Sequence, residues 1–279
     1  MLMRKIKKAL KWLGAMLLVF VISFLGTAAA NDSLSVDQIL TGTRQIVSLG
    51  ENQLSQENSL SQGIDAMESN STLNRLERVF FLKQAVNARI NSANYVKLQD
   101  IPESLQQAVV AVEDRKFYNH WGFDMEGIFR ASLVNLQYGQ VREGASTITQ
   151  QLVKNLFLSQ EQTMGRKAEE FVLAMDMELN YSKDEILELY LNTIYFGSGY
   201  YGIKEASEGY FGKEPAMLAL PESAMLAGIP NAPSLYSPYV DFMLAKKRQF
   251  IVLDAMTAAG YLRESVADDA KIKPIYLAH

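Results

Sequence analysis

The chain has 279 residues, 48 % of them apolar, with 27 basic and 31 acidic side chains and no cysteine. That is enough for one large domain with a small lobe and appendages; it excludes disorder throughout, disulfides and thiolate metal sites. Five of the basic residues (Arg4, Lys5, Lys7, Lys8 and Lys11) crowd the start, leaving 22 basic against 31 acidic groups in residues 12–279, about −9, so no basic stripe for a nucleic-acid partner survives.

Residues 1–11 form the basic tail, and Trp12 to Ala30 is a run of 19 residues without a charge, close to the roughly 20 that cross a hydrocarbon core. Lysines before it and Asn31-Asp32 after it place the N-terminus in the cytoplasm and the remainder outside. Ala28-Ala29-Ala30 also fits a signal cleavage rule, but a retained anchor is preferred, and either reading exports the main domain. Residues 31–90 read as a juxtamembrane stalk: Ser, Asn and Gln fill 13 of the 27 positions from 48 to 74. Leu73, Leu76, Phe80, Val86 and Ile90 recur at helical spacing and lead toward a main domain at 91–270, with 271–279 as a tail.

Asp100-Ile101-Pro102-Glu103 predicts a helix start with Asp100 as N-cap, with Leu105, Ala108, Val109 and Val112 on one face and an end at Glu113-Asp114. Ser182 and Glu185 form a capping box ahead of a stripe of Ile186, Leu189 and Tyr190. Leu220-Pro221-Glu222 opens a helix running to Gly228, and Ala245 to Ala259 forms another that stops at Gly260. Loops are expected at 139–144, 197–202 and 209–212, each bounded by glycines. No alternating run of strand length occurs, so the fold class is mainly α.

Glu113 stands at the edge of an apolar helical face where the helix meets a loop, a placement whose partial burial raises a carboxylate's pKa and suits a general base. A lone Glu at a helix end is more often a solvated side chain. Here Asp114, Arg115, Phe117, His120 and Gly122 crowd polar, aromatic and tight-turn residues beside it. From Gly144 to Gln151 hydroxyl and amide side chains dominate, and the spacing leaves two readings even: a well-capped helix start, with Thr147 and Gln150 as partners, or hydrogen bonds to a sugar or phosphate. Lys154, Arg166 and Lys167 could stabilise an anionic leaving group, while Glu170, four residues after Arg166, could equally form an exposed ion pair with it. His120, one of two histidines, has no companion set for a transition metal and is given an orienting role.

The ordered blocks EDRKFYNHWG (113–122), GASTITQQLVKN (144–155), RKAEE (166–170) and KDEILELYLNTIYFG (183–197) resemble the peptidoglycan glycosyltransferase family, glycosyltransferase family 51. Its domain occurs alone in monofunctional transglycosylases and first in class A penicillin-binding proteins. The resemblance covers about residues 98–263 and implies a lysozyme-like, mainly α domain with a small membrane-proximal lobe after one transmembrane helix. It implies an inverting transfer in which lipid II and growing lipid-linked glycan react, a β-1,4 bond forms and undecaprenyl pyrophosphate leaves. Position by position, Glu113 becomes the catalytic base and Glu170 a second acid. Asp114, Phe117 and His120 complete the first motif; Ser146, Thr147, Gln150, Gln151, Lys154 and Asn155 line the substrate path, Lys154 nearest the pyrophosphate. Arg166, Lys167 and Arg248 add cations, and the motif from Ile186 to Asn192 is mainly structural. No metal ligand is assigned, and Mg²⁺ or Mn²⁺ beside the pyrophosphate is the one cofactor left open. Implied partners are the membrane, a transpeptidase and the divisome or elongasome; moenomycin-type inhibition is expected.

Two departures remove positive charge from the expected pyrophosphate path, predicting weaker donor binding or stronger metal dependence: Gln249 stands where the family has a second arginine, with Lys247 as a substitute, and Gln162 stands where relatives carry arginine. Neither Ser-x-x-K nor K-T-G occurs in these residues, so the serine chemistry of a transpeptidase has no motif here and a monofunctional enzyme is expected. Two rivals are a muramidase or lytic transglycosylase using Glu113 as acid and an inactive membrane-anchored scaffold.

Overall fold

The computed structural model of the protein describes residues 81–138, 146–158 and 164–278. The apolar run 12–30, the stalk up to residue 80, the expected loop 139–144 and Gln162 lie outside the described residues. Among the described residues, no helix is long and apolar enough to cross a membrane. The chain divides into two compact units, residues 1–81 with 162–169 and residues 82–161 with 170–279. In the first, the described part is Phe81 and the helical opening Met164–Glu169; all other described residues belong to the second.

Helix α1 (Leu82–Asn87) buries Leu82 and Val86. Helix α2 (Glu103–Glu113) carries Leu105, Ala108, Val109, Val110 and Ala111 inward and closes on Asp114, as its apolar spacing requires. Its start corrects the sequence reading, because Pro102 and not Asp100 is the N-cap. A residue before proline is pushed out of the α region. Ile101 accordingly sits at φ −99°, ψ 128° and separates the helix from Asp100, which closes a 3₁₀ turn, Leu98–Asp100.

Helix α3 (Met125–Tyr138) follows the short 3₁₀ turn Phe117–Asn119. Helix α4 (Ile148–Phe157) begins with Thr147 and Gln150 in a reciprocal capping box. Helix α5 (Met164–Asn180) spans both units, and α6 (Lys183–Thr193) starts on the expected box, Ser182 accepting from the Glu185 amide. Ile186, Leu187, Leu189, Tyr190 and Leu191 bury one side of α6, which packs against α4.

The loop 197–202 is pinned by Tyr195 and Tyr201, whose rings meet at a tilt with centres 4.6 Å apart and whose isolated bridge is the one strand-type pairing among the described residues. Glycine is required at 197: at φ 78° an added Cβ would meet the Pro233 carbonyl oxygen at 2.7 Å. The loop expected at 209–212 is a correction, since Gly209 lies inside α7 (Ile203–Phe211), where an added Cβ would fall 2.2 Å from Tyr200 Cζ. That glycine marks a close ring-on-backbone contact, a reason for glycine that the sequence does not distinguish from a turn.

Helix α8 (Leu220–Gly228) is buried from Pro221 onward and forms the centre of the core, packed by α2 and by α10 (Phe242–Ala258). Between them lies the short α9 (Pro233–Tyr236). Helix α10 starts three residues earlier than the apolar pattern suggests, because the Asp241 side chain accepts from the Leu244 amide at 2.9 Å. Helix α11 (Glu264–Ile272) packs on α10. The described fold is mainly α.

Candidate active site

The C-terminal end of α2, the start of α4 and one side of α10 enclose a cleft of about 1070 Å³. Glu113, Asp114, Ser146, Thr147, Gln151, Lys154 and Arg248, all expected site residues, line it. Glu113 is the last residue of α2, so its carboxylate emerges where the ladder ends and the chain turns away. Gln151, one turn into α4, donates through Nε2 to Glu113 Oε2 at 2.8 Å. The other oxygen, Oε1, is buried without a hydrogen-bond partner. Burial raises the Glu113 pKa and Asp114 adds to the rise, against the opposing pull of the Gln151 hydrogen bond, Arg248 and Lys154. A carboxylate more basic than usual, with one oxygen unpartnered, can receive a proton.

Asp114 ties the first two motifs together. It accepts from His120 Nε2 at 2.9 and 3.0 Å and from the Ile148 amide at 3.0 Å, placing a negative charge at the positive end of α4. His120 holds this carboxylate and packs edge-on against Phe117, which is fully buried. Lys183 lies over the Phe117 ring and pairs with Glu178 at 2.7 Å, and Glu178 also accepts from Thr149 at 2.6 Å. Thr147 donates to the Gly122 carbonyl at 2.7 Å while capping α4, so capping and cleft lining fall on one residue.

Gln150 turns away from the cleft, donating to Glu170 Oε1 at 3.1 Å. Glu170 is 2 % exposed and stands behind the α4 cap, outside the cleft lining. Lys154 is exposed on the cleft wall, whereas Asn155 next to it is exposed off that wall. Arg166 and Lys167 belong to the first of the two units.

Arg248 stands on the wall with its guanidinium 5.4 Å from the Tyr236 ring centre. Gln249 points the other way, fully buried and donating to the Pro221 carbonyl at 2.7 Å. The expectation that Gln249 thins the charge along the path is therefore corrected: this position faces the α8–α10 core, because one residue further along a helix turns the side chain by about 100°. Lys247 is exposed and does not line the cleft. Lys116, Asp124, Arg130, Asn231 and Tyr261 line it and were missed. They come from separate segments, and only Lys116 lies inside one of the four sequence blocks.

No group of three or more His, Asp or Glu side chains among the described residues is arranged to hold a metal ion. Among the described residues the donors thus do not form a three-ligand site by themselves.

A transglycosylase family profile matches residues 82–257. Penicillin-binding protein 1A of Aquifex aeolicus is 45 % identical over 181 residues, 65 % of this chain and 25 % of that protein. Penicillin-binding protein 1A of Neisseria gonorrhoeae is 50 % identical over 176 residues, 63 % of this chain and 22 % of that protein. The chain therefore spans about a quarter of the length of the curated relatives it matches. The crystal structure of penicillin-binding protein 1A from Haemophilus influenzae aligns with 66 % of this chain and 18 % of its own, at 26 % identity and a TM-score of 0.41, too loose a superposition to carry an argument. With the profile covering well over half of the residues, the chain belongs to the transglycosylase family, that of the peptidoglycan glycosyltransferases.

Proposed function

We propose that this protein is a peptidoglycan glycosyltransferase that polymerises lipid II into glycan strands, with Glu113 as general base. The observation that carries the reading is a basic carboxylate facing a long cleft with cations beside it: Glu113 with a raised pKa, and Lys154 and Arg248 close enough to pull it back down. Glu113 takes the proton from the acceptor sugar's 4-hydroxyl as that oxygen attacks the donor's anomeric carbon from the face opposite the leaving group. A β-1,4 bond forms, the bond to undecaprenyl pyrophosphate breaks, and Lys154 with Arg248 receives the charge developing on the departing oxygens. Asp114 and His120 hold the start of α4 in register with the end of α2, and Glu170 steadies it through Gln150; all three are assigned positioning roles, as is Phe117. Ser146 offers a hydrogen bond to the sugars, Thr147 and Gln151 serve the site through the α4 cap and the hold on Glu113, and Asn155, Arg166 and Lys167 remain candidates for the lipid-pyrophosphate end.

In this reading the domain is lysozyme-like with a membrane-proximal lobe, residues 12–30 anchor it in the cell membrane, and the domain at 91–270 works outside. Tethering matches a substrate whose lipid tail stays in the bilayer, since it raises the local concentration of enzyme against substrate. A transpeptidase partner would cross-link the product. The test is polymerisation of labelled lipid II by the detergent-solubilised chain with Glu113→Gln in parallel. Loss of about 10²-fold or more in the variant is expected; an unchanged rate would remove Glu113 from the chemistry. Soluble fragments released from purified cell wall, in place of polymer, would favour the muramidase.

A further inference from the structure

Tyr190 lies on α6, behind the cleft wall, where the sequence reads it as one more member of an apolar stripe. Its side chain is fully buried, yet it ends in a hydroxyl whose hydrogen bond goes not to the helix but to Gln151 Oε1, at 3.1 Å. The same carboxamide donates through Nε2 to Glu113 Oε2 at 2.8 Å. A primary amide has one donating and one accepting end, so a partner that occupies one end selects which end faces the other way. Burial, and then the charges of Glu113 and Asp114, hold the Tyr190 pKa well above its ordinary value, so the phenol stays protonated and stays a donor. With Gln151 as the acceptor for that hydroxyl, reversing the amide would leave a buried O–H without an acceptor, which disfavours the reversed orientation.

We propose that Tyr190 is a positioning residue for glycosyl transfer: by donating to Gln151 it fixes the amide so that Glu113 meets an N–H and not a carbonyl. The proposal rests on the reading of Glu113 as the base. An N–H facing the carboxylate favours its charged, proton-accepting form, whereas a carbonyl in the same place favours the protonated form, which cannot accept. The other charged groups facing Glu113 are Asp114 at the end of its own helix, Lys154 on α4 and Arg248 on α10. None of these chooses between the two ends of the amide as Tyr190 does, because the hydrogen bonds of the Gln151 carboxamide run to Glu113 and Tyr190.

The experiment is the pH dependence of kcat/KM for lipid II polymerisation by the full chain, comparing the parent with Tyr190→Phe, Gln151→Met, the double variant and Glu113→Gln. Tyr190→Phe keeps the ring and removes the hydroxyl. It is expected to move the acidic limb upward by about one pH unit, a loss of about tenfold at low pH that disappears at high pH. Gln151→Met is expected to move the limb the same way, with Tyr190→Phe adding nothing further in that background. A merely structural hydroxyl would lower the rate equally at every pH and in both backgrounds, and either pattern would overturn the proposal, as would an unmoved limb. Should Tyr190→Phe fail to fold, Gln151→Met still tests the link from the cleft side, where an unmoved limb overturns the proposal, and Tyr190→Trp, which also lacks the hydroxyl, takes the place of Tyr190→Phe in the comparison. An active Glu113→Gln would instead overturn the base assignment itself, whatever the Tyr190 variant does.

Discussion

Glu113 is made basic at a cost to the fold. Its carboxyl is pushed above the ordinary value of 4.5, chiefly by burial. A group whose folded pKa is raised binds its proton more tightly in the folded state, so its contribution to stability is complete below the unfolded value and is lost as pH rises through the folded one. Near neutral pH the ionised form is therefore a net burden, and Glu113→Gln, which keeps the shape and can still accept from Gln151, removes it. The variant is expected to unfold at a higher temperature than the parent near pH 7, by about 2–4 °C for each kcal/mol recovered. The difference should close as the pH falls below about 4.5, where both side chains are neutral. Thermal unfolding of the two proteins at both pH values checks this; a difference independent of pH would place its origin outside the carboxyl.

At the scale of elements, the cleft depends on how α4 is started. Thr147 accepts from the Gln150 amide, Gln150 Oε1 accepts from the Thr147 amide, and Thr147 donates to Gly122 across to the first motif. Removing the hydroxyl in Thr147→Ala loses the cap and leaves the buried Gly122 carbonyl one donor short, so a loss of about 1–3 kcal/mol is expected, with Thr147→Ser recovering most of it. Urea unfolding reads this as a shifted midpoint at constant slope; equal midpoints for the alanine and serine variants would show that the hydroxyl does not carry the effect. The same element shows what a sequence reveals. The capping partners Thr147 with Gln150 and Ser182 with Glu185 were legible, because capping is local and written at fixed spacing. So was Glu113 at the close of α2, since its helix face is a simple repeat of apolar residues. Tyr190 bonding to Gln151, Gln249 turning into the core and Gly209 receiving the Tyr200 ring were not. Each depends on a partner from 9 to 39 residues away, and no local period records which face of a helix a distant element will cover.

Across the whole molecule, charge is distributed against the net balance. The chain carries −4 overall, yet the cleft wall gathers Arg115, Lys116, Arg130, Lys154 and Arg248 against Glu113, Asp114 and Asp124. Some of that positive charge is already engaged: Lys116 pairs with Glu126, and Arg115 donates to the Ala258 carbonyl at 2.8 Å. Lys154 is exposed on the wall, and Arg248 is braced over Tyr236. An anionic diphosphate approaching this wall should thus be steered to it, and steering is screened once the Debye length, about 8 Å at physiological salt, falls below the distance over which it acts. If the proposed lipid diphosphate is the substrate, its KM is expected to rise several-fold between about 0.05 and 0.5 M salt while kcat changes little. Lys154→Met is expected to raise KM at low salt, by about tenfold if one partly desolvated contact is lost, and to flatten the salt dependence because the charge being screened is gone. Both follow from initial rates measured across a salt series at constant detergent. If the variant kept the parent's slope, Lys154 would lie off the substrate's path, and the steering would rest on Arg248 and Arg130 across the cleft.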